Sequence, residues 1–288
     1  MIFLYVILVS LRLESDYMNA KSFKKLLKSI LFSISDMFSF MYKFDNISIL
    51  YYHDVVHGAG FSYQQIEYNN FLEQMRWISK RNYETLLFDD LNNESTLKKG
   101  TNKYILITFD DGYRSNYETV FPIMRELNLK FNIFLEVGAI NKRDNYMTWD
   151  MINEMKDSGI VGFGAHTYNH IDMRNTYNIN IPVEILKANA EILERTGIRV
   201  EDFCFPFGYY DKCVVRALCS LNVYKRLYTT DAVKKYARGS TTVYGRVGIE
   251  NDDSLGTFRK KVDGRYNLYY RVSRIIRNAI RDIKVTDN

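Results

Sequence analysis

Buried strands and helical segments alternate along the middle of this chain, and this alternation constrains the fold more than any other feature. The apolar segment KYILITF (103–109) is typical of a core strand, and helical periodicity follows around 116–127. The same pattern predicts further strands at 47–53, 83–88, 131–137, 160–166, 202–207, 225–229 and 242–249, and further helices at 71–82, 148–159, 181–197 and 211–221. This rhythm predicts an α/β protein with a parallel sheet and outer helices, either an open doubly wound sheet or a barrel.

Composition fits one barrel-sized domain with additional segments, because α/β barrels often run to about 250 residues and this chain has 288. Its 47% of apolar and 25% of charged residues are ordinary for a soluble globular protein. The net charge of +5 is only mildly basic, and we expect no nucleic-acid partner. Three cysteines without a CxxC pair are expected to be reduced thiols.

Both ends of the chain differ from its middle. The apolar run at residues 1–11 is too short for a membrane span, which needs about 20 residues. The segments 21–34 and 265–284 predict basic amphipathic helices, which either lie on an anionic membrane or pack their apolar faces on the protein. We therefore divide the chain into an N-terminal segment (1–44), a main domain (45–256) and a C-terminal basic helix (257–288).

Chemically reactive side chains follow the predicted strands, at the edge where α/β folds place their catalytic groups. Asp110 and Asp111 end the strand at 103–109, and His166 and His170 follow the strand at 160–166. Two histidines four residues apart on a helical turn share one face, and with one carboxylate they form a metal site that leaves positions open for water and substrate. An ordinary Asp-Asp-Gly turn and a pair of structural histidines are the alternatives.

Two segments taken together resemble a known family. ITFDDGY (107–113) and HTYNH (166–170) resemble the first two motifs of the polysaccharide deacetylases, the NodB-homology family also called carbohydrate esterase family 4. FCFPFGYYD (203–211) resembles the third motif, and MTWDMINEM (147–155) the helix before the histidine motif. The resemblance implies a distorted (β/α) barrel and metal-dependent hydrolysis of the N-acetyl group of a sugar in a polysaccharide, oligosaccharide or glycolipid.

The chain departs from the family pattern in two places. Cys204 or a neighbouring Phe stands where the third motif begins with Arg. The usual C-terminal motif, whose His acts as the general acid, is missing. LYYHDV (50–55) and GRVGI (245–249) instead resemble the permuted subgroup that includes the poly-β-1,6-N-acetylglucosamine deacetylases. This resemblance implies that His53 is the general acid, and we expect Arg246 to replace the missing Arg beside Asp110.

The remaining roles follow from the resemblance. Asp111, His166 and His170 would hold a divalent metal, with Zn²⁺ the first choice and Co²⁺, Ni²⁺ or Fe²⁺ as alternatives. Asp110 would be the general base, and the backbone N–H of Phe207 would stabilise the oxyanion. Asp54 could keep His53 protonated, while His57 is a rival for the acid. Trp149, Tyr209 and Tyr210 are candidates for stacking on sugar rings, although core or rim packing explains each of them equally well.

Three questions stay open at this level. A catalytically idle carbohydrate-binding domain of the same fold is one alternative function, and a membrane-associated interaction protein is another. An N-acetylated carbohydrate is the expected substrate, with peripheral membrane association possible because of the two basic ends. Without a clear signal peptide, we expect a location in the cytoplasm or at its membrane face, with an exported form as the alternative.

Overall fold

A computed structural model describes residues 20–37, 47–58, 62, 64–81, 83–93, 103–174, 181–232 and 235–272. The chain divides into two compact units, one formed by Met1–Lys43 with Arg265–Asn288 and the other by Phe44–Gly264. The larger unit includes residues 257–264, which the sequence pattern assigns to the C-terminal helix.

The larger unit is an α/β fold, as predicted. Its strands are β1 (Ile47–Tyr52), β2 (Asp54–Val56), β3 (Gln65–Glu67), β4 (Tyr83–Thr85), β5 (Lys103–Phe109), β6 (Phe131–Leu135), β7 (Val161–Ala165), β8 (Asp202–Cys204), β9 (Arg226–Thr229), β10 (Lys235–Arg238), β11 (Thr241–Gly245) and β12 (Val247–Gly248). With α1 assigned to Ala20–Met37 in the smaller unit, its helices are α2 (Tyr68–Ser79), α3 (Phe121–Glu126), α4 (Trp149–Asp157), α5 (Ile181–Thr196), α6 (Lys212–Leu221) and α7 (Leu255–Val262). Short 3₁₀ helices span Phe88–Asn93 and Pro206–Gly208.

The main sheet has ten strands and is almost entirely parallel. Its order is β10-β11-β9-β8-β7-β6-β5-β1-β12, with β4 pairing on β5. Arg246 alone separates β11 from β12, and this continuous segment pairs first with β9 and then with β1. One continuous stretch of chain therefore pairs with β9 near one end of the strand order and with β1 near the other, an arrangement consistent with the expected distorted barrel.

Strand register brings the ends of the central strands to one edge. β1 pairs with β5 from Ile47↔Tyr104 to Tyr52↔Phe109, and β6 pairs with β7 up to Leu135↔Ala165. Six of the seven residues of β5 are buried, as expected for a strand covered on both faces. The residues that follow these strands therefore emerge together at the carboxyl edge of the barrel.

Local capping explains why several helices begin where the sequence predicts. Thr148 accepts a hydrogen bond from the Met151 backbone at 3.2 Å, which confirms it as the N-cap of α4. The helix expected at 116–127 is interrupted: Asn116–Val120 is a π-helical turn in which the Phe121 N–H donates to the Asn116 carbonyl. Pro122 has no N–H to donate to the carbonyl four residues earlier, which disfavours a regular α-helix at this point.

Some elements were not expected from the sequence. β2 and β3 form a separate two-stranded parallel sheet, and β10 adds an antiparallel edge strand. α7 is a distinct helix that packs on α2, where the Phe258 ring lies edge-on to Trp77 at 5.8 Å between centroids. This packing places residues 257–262 in the main domain and explains why the boundary lies beyond residue 256.

The smaller unit contains α1 and a helical stretch at 267–272. Phe32 stacks on Tyr266 with centroids 3.9 Å apart, and Ser35 Oγ donates to the Arg265 carbonyl at 2.9 Å. The apolar run at 1–11 and the predicted helical residues 273–284 lie outside the described residues. Among the helices that the structure describes, none has both the length and the apolar character needed to cross a membrane.

Candidate metal centre and active site

The Asp110-Asp111-Gly112 turn ends β5 and sends its two carboxylates in different directions. Asp111 has φ 73° and Gly112 has φ 85°, so the chain turns sharply in the left-handed region, where glycine has no steric penalty. A Cβ on Gly112 would lie 3.1 Å from Leu135 Cδ2. The turn requires glycine at position 112 and a strained backbone at Asp111. Strained backbone conformations of this kind cluster at functional sites.

His166 and His170 both face Asp111, but no helical turn brings them together. Residues 166–170 form an irregular loop in which Thr167 and His170 have φ 63° and 51°. This correction leaves the pairing intact: the Nε2 atoms of His166 and His170 lie 3.5 and 3.3 Å from Asp111 Oδ1. The left-handed residues turn the chain so that both imidazoles face Asp111, which we expected a helical turn to do.

The three ligand atoms are arranged as a metal would require. His166 Nδ1 lies 2.8 Å from the Cys204 carbonyl, so Nδ1 carries the proton and the lone pair of Nε2 faces Asp111. Burial lowers the pKa of His166 to about 4, so that this imidazole is neutral near pH 7. Asp111 Oδ1 is buried without a hydrogen-bond donor among the described residues. A cation between Asp111 Oδ1 and the two imidazole nitrogens would satisfy all three atoms.

Distances agree with that conclusion. Tetrahedral zinc sites have metal–ligand distances of about 2.0–2.2 Å, which place neighbouring ligand atoms about 3.3–3.6 Å apart. The Asp111–His166 and Asp111–His170 separations of 3.5 and 3.3 Å fall in this range. The residues present therefore fit a divalent metal held by one carboxylate and two imidazoles.

Two other acidic clusters among the described residues are weaker candidates for metal binding. Both Asp110 oxygens, in the cluster with His166 and Cys204, already accept hydrogen bonds from Arg246. In the cluster of Glu250, Asp252 and Asp253, the buried Asp253 is paired with Lys261. Neither cluster leaves its buried carboxylate in need of a cation.

Asp110 forms a buried bidentate ion pair with Arg246, which is the position predicted for this arginine. Nη1 donates to Asp110 Oδ1 at 2.6 Å and to Thr108 Oγ1 at 2.9 Å, and Nη2 donates to Asp110 Oδ2 at 2.7 Å. Burial alone would raise the pKa of Asp110, but the charge and hydrogen bonds of Arg246 outweigh it and hold this pKa below its usual value. Asp110 is therefore an ionised acceptor next to the metal ligands.

The strand break between β11 and β12 explains how Arg246 reaches Asp110. The Arg246 N–H donates to the Thr229 carbonyl of β9, and the next residue pairs with Leu50 of β1. At the position of the third motif, Cys204 Sγ lies 2.8 Å from Arg246 Nη2. A small thiol at 204 thus makes room for the guanidinium that arrives from another strand.

His53 follows β1 and lies near the two aspartates. Its backbone carbonyl accepts from Asn116 Nδ2 at 2.9 Å, and electrostatic interaction with its side chain contributes to the lowered pKa values of both Asp110 and Asp111. Asp54, which we expected to support His53, instead accepts hydrogen bonds from Ser115 Oγ and Gln65 Nε2. The rival His57 stacks on Tyr68 with centroids 4.3 Å apart.

Phe207, predicted to supply a backbone N–H, and the predicted sugar-stacking residues Tyr209 and Trp149 have different surroundings. Phe207, at φ 58°, is half exposed and its ring lies 4.4 Å from that of His170. Tyr209 is 43% exposed, but the guanidinium of Arg174 lies 3.6 Å above its ring. Trp149 is only 7% exposed. Trp149 cannot offer a ring face to a sugar in this conformation, and core packing accounts for it.

A polar cavity of about 380 Å³ opens beside the metal ligands and contains residues that sequence reasoning missed. Asp111, His170 and Phe207 line it together with Gln64, Tyr113, Glu136, Arg143, Tyr146 and Asn169. Glu136 directly follows β6, so the rule that led to Asp110 and His166 could have identified it. Tyr113, two residues after Asp111, had the same signal.

Comparisons with known proteins agree with this geometry. Residues 97–225 match the model of the polysaccharide deacetylase family. YxkH of Bacillus subtilis (strain 168), which is named as a polysaccharide deacetylase, is 30% identical over 172 residues, covering 59% of this chain and 60% of that protein. The poly-β-1,6-N-acetyl-D-glucosamine N-deacetylase of Escherichia coli (strain K12) is 24% identical over 233 residues, covering 66% of this chain and 34% of that protein.

Among solved structures, the Streptococcus pyogenes deacetylase PplD in complex with acetate has the same fold, with a TM-score of 0.67 at 20% identity over 75% of this chain and 97% of that chain. The present chain spans less than two thirds of the length of the Bacillus subtilis and Escherichia coli relatives. The matched segment contains the Asp-Asp-Gly turn, both histidines and the loop after β8. Residues 97–225 thus match the polysaccharide deacetylase family model, and the chain shares its fold with a solved deacetylase.

Proposed function

We propose that this chain is a metal-dependent hydrolase that removes the acetyl group from an N-acetylated sugar. The observation that supports it best is the position of Asp111 Oδ1, buried between the Nε2 atoms of His166 and His170 without a hydrogen-bond donor among the described residues. The ionised Asp110 adjoins these three ligands. A metal centre and a carboxylate base are the two parts that hydrolysis of an unactivated amide needs.

Each residue has a defined task in this proposal. Asp111, His166 and His170 would hold a divalent cation, which would supply Lewis acidity and can lower the pKa of water from 15.7 to about 7. Asp110 accepts the proton of the attacking water, since Arg246 keeps it ionised. The Phe207 backbone N–H donates to the carbonyl oxygen as negative charge develops there. His53 donates a proton to the departing amine, which is otherwise a poor leaving group.

Zn²⁺ is the metal we propose, because a carboxylate and two imidazoles at tetrahedral spacing suit it best. The substrate we propose is a β-linked glycan of N-acetylglucosamine, since an Escherichia coli relative is named for one. Co²⁺, Ni²⁺ and Fe²⁺ are alternatives for the metal, because imidazole also binds them well.

The test measures acetate release by the purified full chain from β-1,4- and β-1,6-linked N-acetylglucosamine oligomers, with each metal added and after chelation. We expect Asp110→Asn to keep the metal and lose about 10²–10⁴-fold in kcat, as removal of a general base does. His166→Ala should lose the metal as well. Asp157→Asn, on an exposed surface pair, is the matched control.

Full acetate release by the chelated protein, or by Asp110→Asn, would contradict the proposal. Binding of the oligomers without acetate release in any metal-loaded form would instead identify an idle carbohydrate-binding domain. The assay therefore separates the two functions.

A further inference from the structure

One polar cluster beside the metal ligands has no part in the proposed chemistry. Glu136 is buried, and its carboxylate accepts from Tyr146 Oη at 2.9 Å and pairs with Arg143 Nη1 at 3.0 Å. The Tyr146 ring also packs against Tyr113, with centroids 4.9 Å apart. All four side chains line the cavity that contains Asp111 and His170.

The loop that carries Arg143 is fixed over the Asp-Asp-Gly turn. The Met147 N–H donates to the Gly112 carbonyl at 3.1 Å, and the Tyr146 N–H donates to the Arg143 carbonyl at 3.0 Å. The Arg143 guanidinium also lies 5.4 Å from the centroid of the Tyr146 ring. Backbone and side-chain contacts therefore hold Arg143 at the cavity before any ligand binds, which lowers the entropy cost of using it in binding.

Arg143 presents donors to the cavity but little net charge. A guanidinium has five N–H donors, more than one carboxylate oxygen can accept, and the Arg143 side chain is 57% exposed. The Glu136 carboxylate lies 3.0 Å from Nη1. An anion at Arg143 would therefore meet this buried negative charge at close range, whereas an uncharged hydroxyl or ether oxygen would accept the hydrogen bond without repulsion.

We propose that Arg143, held by Glu136 and Tyr146, is a substrate-binding residue that selects neutral glycans over anionic ones at the sugar next to the metal. The cavity that Arg143 lines also contains the metal ligands, so a sugar whose acetamide reaches the metal brings its oxygens to this side chain. Phosphorylated, sulfated and uronic substrates are disfavoured there because of Glu136. This selectivity rests on the proposed function, and it specifies the substrate class of the same site.

The test measures binding separately from turnover. The full Zn²⁺-loaded chain carrying Asp110→Asn is titrated calorimetrically with β-1,4- and β-1,6-linked tetramers of N-acetylglucosamine and with their monosulfated forms. We expect the Asp110→Asn parent to bind a neutral tetramer at least about tenfold more tightly than its sulfated form. Adding Arg143→Ala should weaken neutral binding about tenfold, the effect of losing one charge-assisted hydrogen bond.

Lys225→Ala is the matched control, because Lys225 forms an exposed pair with Glu201 at the other end of the strands and should change neutral binding less than twofold. Glu136→Gln keeps an acceptor for Tyr146 but removes the charge, and it should bring the neutral-to-sulfated ratio close to one. A merely structural role would lower stability without changing this ratio. If Glu136→Gln does not fold, Arg143→Ala is a sufficient test. The Arg143 side chain is largely exposed, so we expect this variant to fold.

Equal neutral binding by Arg143→Ala and Lys225→Ala would overturn the proposal, as would a parent that binds sulfated tetramers as tightly as neutral ones or binds neither form. Acetate release by the chain with Asp110 intact is scored separately. Turnover without an Arg143 effect refutes the selectivity and leaves the deacetylase function standing, whereas selective binding without turnover refutes only the deacetylase function.

Discussion

The ion pair between Asp110 and Arg246 makes the most demanding prediction. Replacing Arg246 with Met keeps an unbranched apolar side chain in the core but removes the guanidinium, which is fully buried and donates three hydrogen bonds to Asp110 and Thr108. Asp110 would then be a buried carboxylate without its cation. Removing one partner of such a pair costs about 3–5 kcal/mol of unfolding free energy, a large share of the about 5–15 kcal/mol typical of a native protein.

The double variant Asp110→Asn/Arg246→Met separates this cost from a simple loss of packing. Since no charge is left unpaired, the double variant should recover at least about 2 kcal/mol relative to Arg246→Met, because most of the cost is the isolated charge. Denaturant unfolding of the full chain in chelator measures all four members of the cycle. Chelation keeps metal binding out of the comparison.

The pH dependence has a definite sign. In the native chain the pKa of Asp110 is lowered, so the pair stabilises the fold above the ordinary Asp pKa and loses this effect as the pH falls toward the folded pKa. In Arg246→Met, the guanidinium no longer outweighs burial, which raises the pKa of Asp110, so the penalty is largest at neutral pH and shrinks as the carboxyl is protonated. The difference in stability should therefore be larger at pH 7 than at pH 4.5.

A loss below about 1 kcal/mol in Arg246→Met, or a double variant no more stable than Arg246→Met, would refute this reasoning. Either result would mean that Asp110 finds another partner or enough water when Arg246 is absent. Arg246 would then be dispensable as a support for Asp110, and the assignment of Asp110 as a base held ionised by Arg246 would fail with it.

Three further predictions concern the metal, the turn and the buried tryptophan. Zn²⁺ at about 100 times its Kd should stabilise the native chain by about 2.7 kcal/mol in denaturant unfolding; equal stabilisation of His166→Ala would place the metal elsewhere. Gly112→Ala should cost at least about 1 kcal/mol more than Gly159→Ala, since both positions have positive φ but only Gly112 is crowded, by Leu135; equal unfolding free energies would show that the crowding relaxes. Trp149→Phe should lower stability yet change KM for the N-acetylglucosamine oligomers less than about twofold, because the ring is buried; a large KM change in enzyme assays would restore its sugar-binding role.

The elements that the sequence predicts best are those whose local pattern and tertiary environment agree. Residues 103–109 form β5 at the predicted bounds, because a continuous apolar run suits a strand buried on both faces. α5 ends at Thr196, one residue before the predicted end, because Gly197 adopts φ 73° and stops the helix. β2, β3 and β10 are not predicted, because short strands carry little periodicity and these three lie outside the alternation of strands and helices that indicates β4, β8 and β9.

The site was predictable where its residues follow strands and less so where it depends on loops. The spacing of the two histidines correctly predicts that they pair. However, left-handed residues in a loop bring them together, and not the expected helical turn. The sequence leaves Trp149 open between sugar stacking and core packing, because it does not tell which side of a helix faces the core. Arg143 went unnoticed because it lies eight residues beyond β6, in a loop whose path depends on contacts with Gly112 and Tyr113.

Arg246 brings to Asp110, from the break between β11 and β12, the guanidinium that the resemblance to the third motif implies at the end of β8. Side chains from two backbone positions lie beside Asp110. One position is Cys204 at the end of β8, and the other is Arg246 at the break between β11 and β12. A guanidinium at both positions would place two buried cations against one carboxylate, at a desolvation cost that a single Asp cannot offset. The thiol at 204 is therefore expected wherever Arg246 is present, and Cys204→Arg should unfold the chain or displace Arg246 from Asp110. If Cys204→Arg alone lowers stability by several kcal/mol while Cys204→Arg/Arg246→Met recovers most of it, the two positions share one role; independent effects would show that they do not.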